Sequence, residues 1–344
     1  MKNFESFWLG KKIIITGHTG FKGSWLAVLL KFLGSNIVGI SDERKQGIYL
    51  LSNVSSLLDK EHFLDLSSEN NTKLIKIFDD FKPDLVFHFA AQSLVISGYK
   101  NPHKTIKDNL LSSLNIFEAN SLSNPQGTVI VSTTDKVYKK SDIPNLEVSE
   151  LGGKDIYSFS KVSIEQLIET YKYLKPELKI SVIRSGNVIG GGDRGEARLV
   201  PDIISAIQKN EVLTLRNPGS IRPWLHILDS LYGYLLLAEY TYSNSKAGVY
   251  NLSSQENNKL KAKEIAELFQ EFGNKELKIK TSTNKQFEEV SELRIDSNKA
   301  EKDLGWLAKF NIETCVKLTL DWEENIKKDK HYSEKQIEDF LNLN

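Results

Sequence analysis

Tyr157 and Lys161 are the two side chains in this sequence best suited to move a proton. They stand four positions apart in a segment of helical periodicity over residues 157–174, so both face the same way. A nearby ammonium favours the phenolate, and we expect Lys161 to lower the pKa of Tyr157 so that it accepts a hydroxyl proton near neutral pH. Because a Tyr-x-x-x-Lys pair also occurs by chance on solvated helix faces, it indicates a function only together with other motifs.

A second group of reactive side chains, Thr134, Asp135 and Lys136, lies at the carboxyl end of the predicted strand TVIVSTTD (128–135). In open α/β sheets this edge is where ligands bind. An acid and a base just beyond a buried strand are costly unless their charges are satisfied. A structural ion pair is therefore the alternative to chemistry, and the position at the ligand-binding edge favours chemistry.

The segment TGHTGFKG contains Gly17, Gly20 and Gly23 in the spacing G-x-x-G-x-x-G, directly after a predicted strand and before a predicted helix. Glycines let the backbone turn sharply and approach a ligand closely. The helix N-terminus offers unpaired N–H groups to an anion. Within a βαβ unit the spacing predicts a site for the pyrophosphate of a dinucleotide, whereas an ordinary strand-to-helix turn is the alternative.

Asp42 lies 25 positions beyond Gly17, past the second predicted strand, near where an acid would bind the ribose of adenosine. A surface acid with no ligand is the alternative. Arg44 and Lys45 follow at once, and they would instead suit the 2′-phosphate of NADP. The sequence leaves the choice between NAD and NADP open.

Short β-branched runs alternate with longer helical segments, which predicts βαβ units and a parallel sheet. The predicted strands are continuous apolar runs, as burial on both faces requires, and they lie at 13–16, 36–41, 84–91, 128–135, 179–186 and 249–253. The expected fold is α/β, a doubly wound parallel (Rossmann) sheet with a smaller C-terminal substrate-binding lobe. The expected division is a dinucleotide-binding domain at 1–186 plus about 225–255, a substrate-binding lobe at about 187–224 and 256–325, and a terminal helix or tail at 326–344.

The 344-residue chain has 45 basic and 45 acidic residues, hence zero formal net charge. This balance argues against a nucleic-acid partner, although a few arginines suffice for a local phosphate site. The single cysteine, Cys315, cannot form an intrachain disulfide, and no Cys/His cluster has metal-ligand spacing, so no metal site is expected. Without a signal-peptide pattern or a run of membrane-spanning length, we expect a soluble cytoplasmic protein.

Together, the glycine spacing, the Tyr157/Lys161 pair and the threonine at the end of the fourth strand resemble the extended short-chain dehydrogenase/reductases. Four longer stretches are more specific, and they resemble the CDP-glucose 4,6-dehydratases: FWLGKKIIITGHTGFKGSW, VFHFAAQSLV, GNVIGGGD and LRNPGSIRPWLHILDSLYGYLLLAE. The similarity runs from about residue 6 to about residue 325.

The resemblance implies a tightly held NAD and a nucleotide-sugar substrate. With Asp42 from its spacing, the expected cofactor-binding residues are Gly17, Thr19, Gly20, Phe21, Lys22, Gly23, Asp42, Asp65, Leu66, Ala90, Ala91, Tyr157 and Lys161. The expected substrate-binding residues are Gln92, Asn187, Arg216, Arg222, His226 and Asn251. For Arg222, whose guanidinium suits phosphate oxygens, a structural ion pair is the alternative.

The implied reaction makes a 4-keto-6-deoxy sugar nucleotide. Tyr157, assisted by Thr134, would take the O4 proton while a hydride leaves C4, and Lys161 would orient the cofactor ribose. Asp135 would then protonate the departing C6 hydroxyl and Lys136 would remove the C5 proton. Both roles require opposite pKa shifts, with Asp135 protonated and Lys136 neutral near neutral pH. Alternatively, Lys136 stabilises the enolate as a cation.

Several positions depart from the family pattern, which usually has Ser where this chain has Thr134, Trp at Arg194 and Arg at Ser97. The nucleotide base and the hexose therefore stay open. A sugar-nucleotide 4-epimerase is the nearest alternative, and Asp135 and Lys136 argue against it because that reaction eliminates no water. A non-catalytic dinucleotide sensor is a further alternative. The resemblance also implies a homodimer through helices at 101–121 and 157–174.

Overall fold

The computed structural model of the chain describes residues 2–254, 260–282 and 292–343. Its strands are β1 Lys12–Thr16, β2 Asn36–Ser41, β3 Lys60–Phe63, β4 Leu85–His88, β5 Thr128–Ser132, β6 Lys179–Ser185, β7 Asn187–Ile189, β8 Leu213–Leu215, β9 Trp224–His226, β10 Val249–Leu252 and β11 Ile279–Thr281. Seven of them form one parallel sheet in the order β10-β6-β5-β4-β1-β2-β3. The predicted Rossmann-type α/β fold is confirmed.

The helices alternate with these strands and cover both faces of the sheet. They are α1 Lys2–Trp8, α2 Phe21–Phe32, α3 Ile48–Leu51, α4 Thr72–Phe81, α5 Val95–Lys100, α6 Pro102–Ile106, α7 Ser112–Ser123, α8 Ile156–Leu174, α9 Leu199–Lys209, α10 Ile227–Asn244, α11 Ala262–Gly273, α12 Asn298–Leu304, α13 Ile312–Asn325 and α14 Tyr332–Leu341. Short 3₁₀ turns lie at Val54–Leu57 and Asp135–Val137, and a π-helical turn lies at Lys107–Leu111.

Strand β1 illustrates why the apolar runs are continuous. Ile13 and Ile15 enter the core that packs against α2 and α10, whereas Ile14 enters the core on the opposite face. That second core includes Phe78 of α4 and Phe117 of α7. All three isoleucines are fully buried, so a polar residue at any of these positions, on either face of the strand, would be desolvated.

A third core belongs to the C-terminal lobe and gathers α9, α11 and α13 around Ile203, Phe269 and Val316. Between its segments, α10 packs on the main sheet and β10 adds to it beside β6. Helix α14 returns to the first core through Ile337 and Phe340. Of the predicted lobe, residues 256–259 and 283–291 lie outside the described residues. Across the described ranges every helix is too short or too polar to cross a bilayer.

Candidate active site

The carboxyl ends of β1, β4, β5 and β6 open into one cleft of about 1530 Å³ between the main sheet and the C-terminal lobe. A pocket for one small ligand measures roughly 300–1,000 Å³, so this cleft has room for two ligands. The predicted residues that line it are Gly17, Thr19, Gly20, Phe21, Lys22, Gly23, Asp42, Asp65, Leu66, Ala90, Ala91, Gln92, Thr134, Asp135, Lys136, Tyr157, Lys161, Asn187, Arg216 and Arg222.

The glycine loop connects β1 to α2 at the floor of the cleft. Gly17 has a φ of +73°, and a Cβ there would lie 2.7 Å from the backbone nitrogen of Ala90. A Cβ on Gly23 would collide with the carbonyl oxygen of Gly17. Only glycine fits both positions, and the resulting tight turn directs the first amides of α2 at the cleft, where an anion can bind.

Lys22 brings a positive charge to this loop, and its ammonium donates to Ser185 Oγ at 3.0 Å. Burial, together with the nearby charges of Arg198 and Lys161, lowers the pKa of Lys22 to about 7. The cleft thus collects cations whose mutual repulsion a phosphate group would relieve.

Tyr157 lies in the first turn of α8. The N-cap residue Asp155 stands just before this helix, and its carboxylate accepts from the Ser158 amide at 3.0 Å. Thr134 lies close enough to the Tyr157 hydroxyl to act toward lowering its pKa. Burial raises the pKa of Tyr157 to about 12, so the predicted lowering by Lys161 is wrong. Desolvation of the phenolate outweighs the lowering effects of Thr134 and Arg198. The Lys161 ammonium donates instead to the Ser132 carbonyl oxygen, 3.0 Å away.

Lys161 is 5% exposed, and burial lowers its pKa to about 8, against the opposing effect of Glu165. The group is therefore still mostly protonated at neutral pH. It lies one helical turn beyond Tyr157, as the spacing predicts, and it faces the end of β5.

Asp135 is 2% exposed, and its Oδ1 accepts from Thr134 Oγ1 at 3.0 Å. Its other oxygen, Oδ2, is buried and has no hydrogen-bond partner among the described residues. Burial raises the pKa of Asp135, against the charges of Lys136 and Arg222, which is the predicted direction. A protonated carboxyl here is a proton donor aimed into the cleft. Lys136 is only half-buried, and its role as a base stays a prediction.

Two predicted substrate contacts, His226 and Asn251, lie outside the lining of the cleft that the described residues form. His226 is fully buried; its Nδ1 accepts from the Leu228 amide at 3.3 Å and caps α10. The Asn251 amide is committed to the protein, since it accepts from the Tyr138 hydroxyl at 2.7 Å and donates to two backbone carbonyls. Both residues are close in sequence to residues that line the cleft, but their own side chains point into the protein core.

The remaining predicted substrate residues reach the cleft from different elements. Arg222 is 4% exposed and lies close enough to Asp135 to influence its ionisation. Asn187 lies on β7, beside β9, and Arg216 follows β8 and donates to the Ala197 carbonyl at 2.5 Å. Gln92 lines the cleft, but its amide donates to Thr105 Oγ1 at 2.8 Å and thus shapes the loop after β4.

Exposed charges occupy the end of the cleft where β2 and β3 finish. Asp42 is exposed, and Lys45 forms an ion pair with Glu43. The Arg44 guanidinium lies 3.9 Å from Glu61 and packs over the Phe63 ring. The basic side chains that would suit a 2′-phosphate are thus already paired with acids.

Sequence reasoning missed Arg198 and Tyr234. Arg198 pairs with Asp193 at 3.2 Å and crosses to the loop after β4, where it donates to Ser93 Oγ at 2.6 Å. Asp193 ends the predicted GNVIGGGD motif, which is the one signal that could have led to Arg198. Tyr234 donates to Ser132 Oγ at 2.7 Å from the middle of α10, where the sequence pattern is that of an ordinary core residue.

Comparison with known proteins adds to this geometry. A model of the NAD-dependent epimerase/dehydratase family matches residues 13–253. The CDP-glucose 4,6-dehydratase of Salmonella typhimurium is 29% identical over 334 residues, covering 93% of this chain and 92% of that protein. A UDP-glucose 4-epimerase of Pisum sativum is 24% identical over 339 residues, covering 92% of this chain and 96% of that protein.

Solved structures share the fold. The UDP-glucose-4-epimerase from Stenotrophomonas maltophila, with bound NAD and formylated UDP-arabinopyranose, has a TM-score of 0.81 at 17% identity, over 92% of this chain and 99% of that one. The UDP-glucose 4-epimerase from Bifidobacterium longum, in complex with NAD+ and UDP, has a TM-score of 0.81 at 19% identity, over 91% of this chain and 98% of that one.

Proposed function

Because the chain belongs to the NAD-dependent epimerase/dehydratase family, we propose that it is a sugar-nucleotide 4,6-dehydratase acting on a CDP-glucose-like substrate. The observation that carries this proposal is the buried Asp135, whose raised pKa makes it a proton donor beside Thr134 and Tyr157. Elimination of water needs such an acid, whereas 4-epimerisation needs only the groups that oxidise and reduce C4.

The residues of the cleft fit NAD. Gly17 and Gly23 allow the tight turn between β1 and α2, Lys22 and the first amides of α2 supply positive potential, and Ala90 and Ala91 line the cleft with small side chains. When bound, NAD supplies a hydride acceptor for the first step of the reaction and a hydride donor for the last.

Oxidation at C4 comes first in this proposal, since the C5–H bond of a hexose is barely acidic until C4 is a ketone. Tyr157, once it is a phenolate, takes the O4 proton and becomes a phenol, and Thr134 beside it acts to favour the phenolate. The phenolate that exists before this transfer is costly to bury, and in this proposal the mostly protonated Lys161 offsets part of that cost.

Elimination follows at C5 and C6. Lys136 removes the C5 proton, and Asp135 gives its proton to the departing C6 hydroxyl, so that one molecule of water leaves. Asp135 can donate only below its pKa, and burial raises that pKa toward neutral pH. In this proposal Arg222, Arg216 and Asn187, which also line the cleft, bind the diphosphate of the nucleotide.

A sugar-nucleotide 4-epimerase is the second candidate. Tyr157, Lys161 and Thr134 would serve it equally well, and the similarity to the Pisum sativum UDP-glucose 4-epimerase covers as much of the chain. Asp135 has no evident task in that reaction, which is why we favour dehydration.

Incubation of the full chain and NAD with CDP-, dTDP-, GDP- and UDP-sugars, followed by mass spectrometry, separates the two candidates. Loss of one water from a single nucleotide sugar would identify a dehydratase and the nucleotide base of its substrate. An unchanged mass with a new chromatographic peak would instead identify an epimerase. No conversion of any sugar, with NAD bound, would favour a dinucleotide sensor.

We also propose a homodimer through the helices at 101–121 and 157–174. Large apolar side chains on α8 support it: Phe159 is 54% exposed and Tyr173 87% exposed. Sedimentation of the protein at several concentrations tests this proposal, and a monomer at every concentration would contradict it.

A further inference from the structure

A buried ion pair lies beneath the turn that carries Thr134, Asp135 and Lys136. Glu165 of α8 is 5% exposed and Arg184 of β6 is 3% exposed. The Arg184 Nε lies 3.0 Å from one Glu165 carboxylate oxygen and 3.1 Å from the other. Among the described residues that line the cleft, neither member of the pair occurs, so neither is placed to touch a ligand.

The pair is connected to both ends of this turn. At one end, Thr133 Oγ1 donates to Glu165 Oε1 at 2.8 Å. At the other end, the Arg184 guanidinium donates to the Tyr138 hydroxyl at 2.7 Å and lies over the Tyr138 ring. Thr133 and Tyr138 are the residues immediately outside the segment 134–137, so the ion pair bridges the two chain positions from which the turn projects.

Stability alone does not account for such an arrangement. Two charges taken out of water recover their desolvation cost only with good geometry and further hydrogen bonds, and apolar residues of similar volume often serve stability as well or better. The ion pair adds a fixed geometry, because the bidentate Arg–carboxylate contact sets the orientation of both side chains.

We propose that the Glu165–Arg184 pair is a clamp that holds both ends of the turn at 134–137, and that Thr133 and Tyr138 are positioning residues for the elimination step. This inference rests on the proposed dehydratase reaction. Oxidation at C4 depends mainly on Tyr157 and Lys161, which α8 carries, whereas elimination depends on Asp135 and Lys136, which the turn carries. Loosening the turn therefore slows elimination more than oxidation.

Two variants of one residue test the clamp. Thr133→Val keeps the shape of the side chain and removes the hydroxyl, whereas Thr133→Ser keeps the hydroxyl. With the full chain, NAD and the nucleotide sugar that the wild type converts, we expect Thr133→Val to slow loss of water about 10-fold relative to C4 oxidation, so that NADH absorbance accumulates. Thr133→Ser should stay within about twofold of the wild type, because its hydrogen bond persists. Equal slowing of both steps in Thr133→Val, or equal behaviour of the two variants, would overturn the proposal.

A second pair of variants tests the other end. Tyr138→Phe removes the hydroxyl that accepts from Arg184, and the matched control Tyr250→Phe removes a buried hydroxyl that donates to Asp303 at 3.1 Å, away from the turn. Only the Tyr138→Phe variant should slow elimination.

Hydrogen exchange of the peptide spanning residues 133–138 gives a readout without substrate. Exchange should quicken in Thr133→Val and Tyr138→Phe, but not in Thr133→Ser or Tyr250→Phe.

These readouts separate the clamp from the proposed function. A wild type that epimerises or converts no sugar would refute dehydration, while faster exchange confined to Thr133→Val and Tyr138→Phe would still support the clamp. Unchanged exchange in both variants would refute the clamp even in an active dehydratase.

Discussion

The two ends of the cleft are built differently. At the end formed by β5 and α8, Tyr157, Lys161 and Asp135 are between 2% and 8% exposed, and each has a markedly shifted pKa. At the end formed by β2 and β3, the side chains of Asp42 and Arg44 are each 68% exposed and the charges pair with one another in contact with solvent. The groups proposed to react are thus buried, whereas the charged groups near the proposed adenosine ribose site are solvated.

This contrast has a physical reason. Proton transfer near neutral pH requires pKa values moved from their usual ranges, and burial is the largest effect that can move them. Binding a ribose needs only complementary hydrogen bonds, and exposed charges contribute little each because water and salt screen them. Substitutions should therefore have large effects on rate at the first end and small effects on affinity at the second.

The largest effect is expected for Tyr157→Phe. Loss of the hydroxyl removes the group proposed to take the O4 proton, and we expect C4 oxidation to fall about 10³-fold. Stopped-flow absorbance of NADH at saturating substrate measures this step, and thermal unfolding checks that the fold is intact. Retention of full activity would remove Tyr157 from the mechanism.

Asp135→Asn should have a smaller and more selective effect. The amide keeps the size of the side chain and cannot give up a proton, so loss of water should slow about 10²-fold while C4 oxidation stays measurable. Because burial raises the Asp135 pKa, the wild-type elimination rate should fall as pH rises through that pKa, and the variant should lack this limb of the profile. Equal slowing of oxidation and elimination would show that Asp135 has no role in elimination.

Lys22 lies on the glycine loop in the cleft, and its contribution to NAD binding should depend on pH. The pKa of Lys22 is about 7 in the protein alone, and contact with a pyrophosphate would raise it. Binding should therefore take up a proton above neutral pH, and the affinity for NAD should be about fivefold weaker at pH 8 than at pH 7. Calorimetry in two buffers of different ionisation heat measures the uptake. If the Lys22→Gln variant takes up the same number of protons on binding NAD, then a group other than Lys22 binds the proton.

Local patterns made the sheet, the glycine loop and the Tyr157/Lys161 pair predictable, because strand periodicity, glycine spacing and helical spacing are all short-range. Strand ends were less accurate. The strand predicted at 84–91 ends at His88, because the Ala90 amide donates to Thr16 Oγ1 at 3.2 Å and the chain turns into the cleft. Strand β3 was missed, since its sequence KEHF contains no run of apolar residues.

Other features of the site depend on contacts that spacing does not encode. The raised pKa of Tyr157 depends on how completely the lobes cover it. Asn251 and His226 became core residues through bonds to partners such as Tyr138 and the Leu228 amide. The connection of Glu165 to Thr133 joins positions 32 residues apart, and only the packed structure brings them together.

The smallest effect is expected at the solvated end, for Asp42→Ala. Loss of one exposed acid should weaken NAD binding only about threefold, since exposed charge interactions are worth about 1 kcal/mol or less. The same change removes the carboxylate that lies 4.0 Å from the Lys45 ammonium, so the preference for NAD over NADP should narrow. Arg44→Ala in the same background should restore part of that preference, because it removes a cation that would attract a 2′-phosphate. Fluorescence titrations with both dinucleotides measure the ratio, and an unchanged ratio in Asp42→Ala would make Asp42 a surface acid that does not contact the ribose.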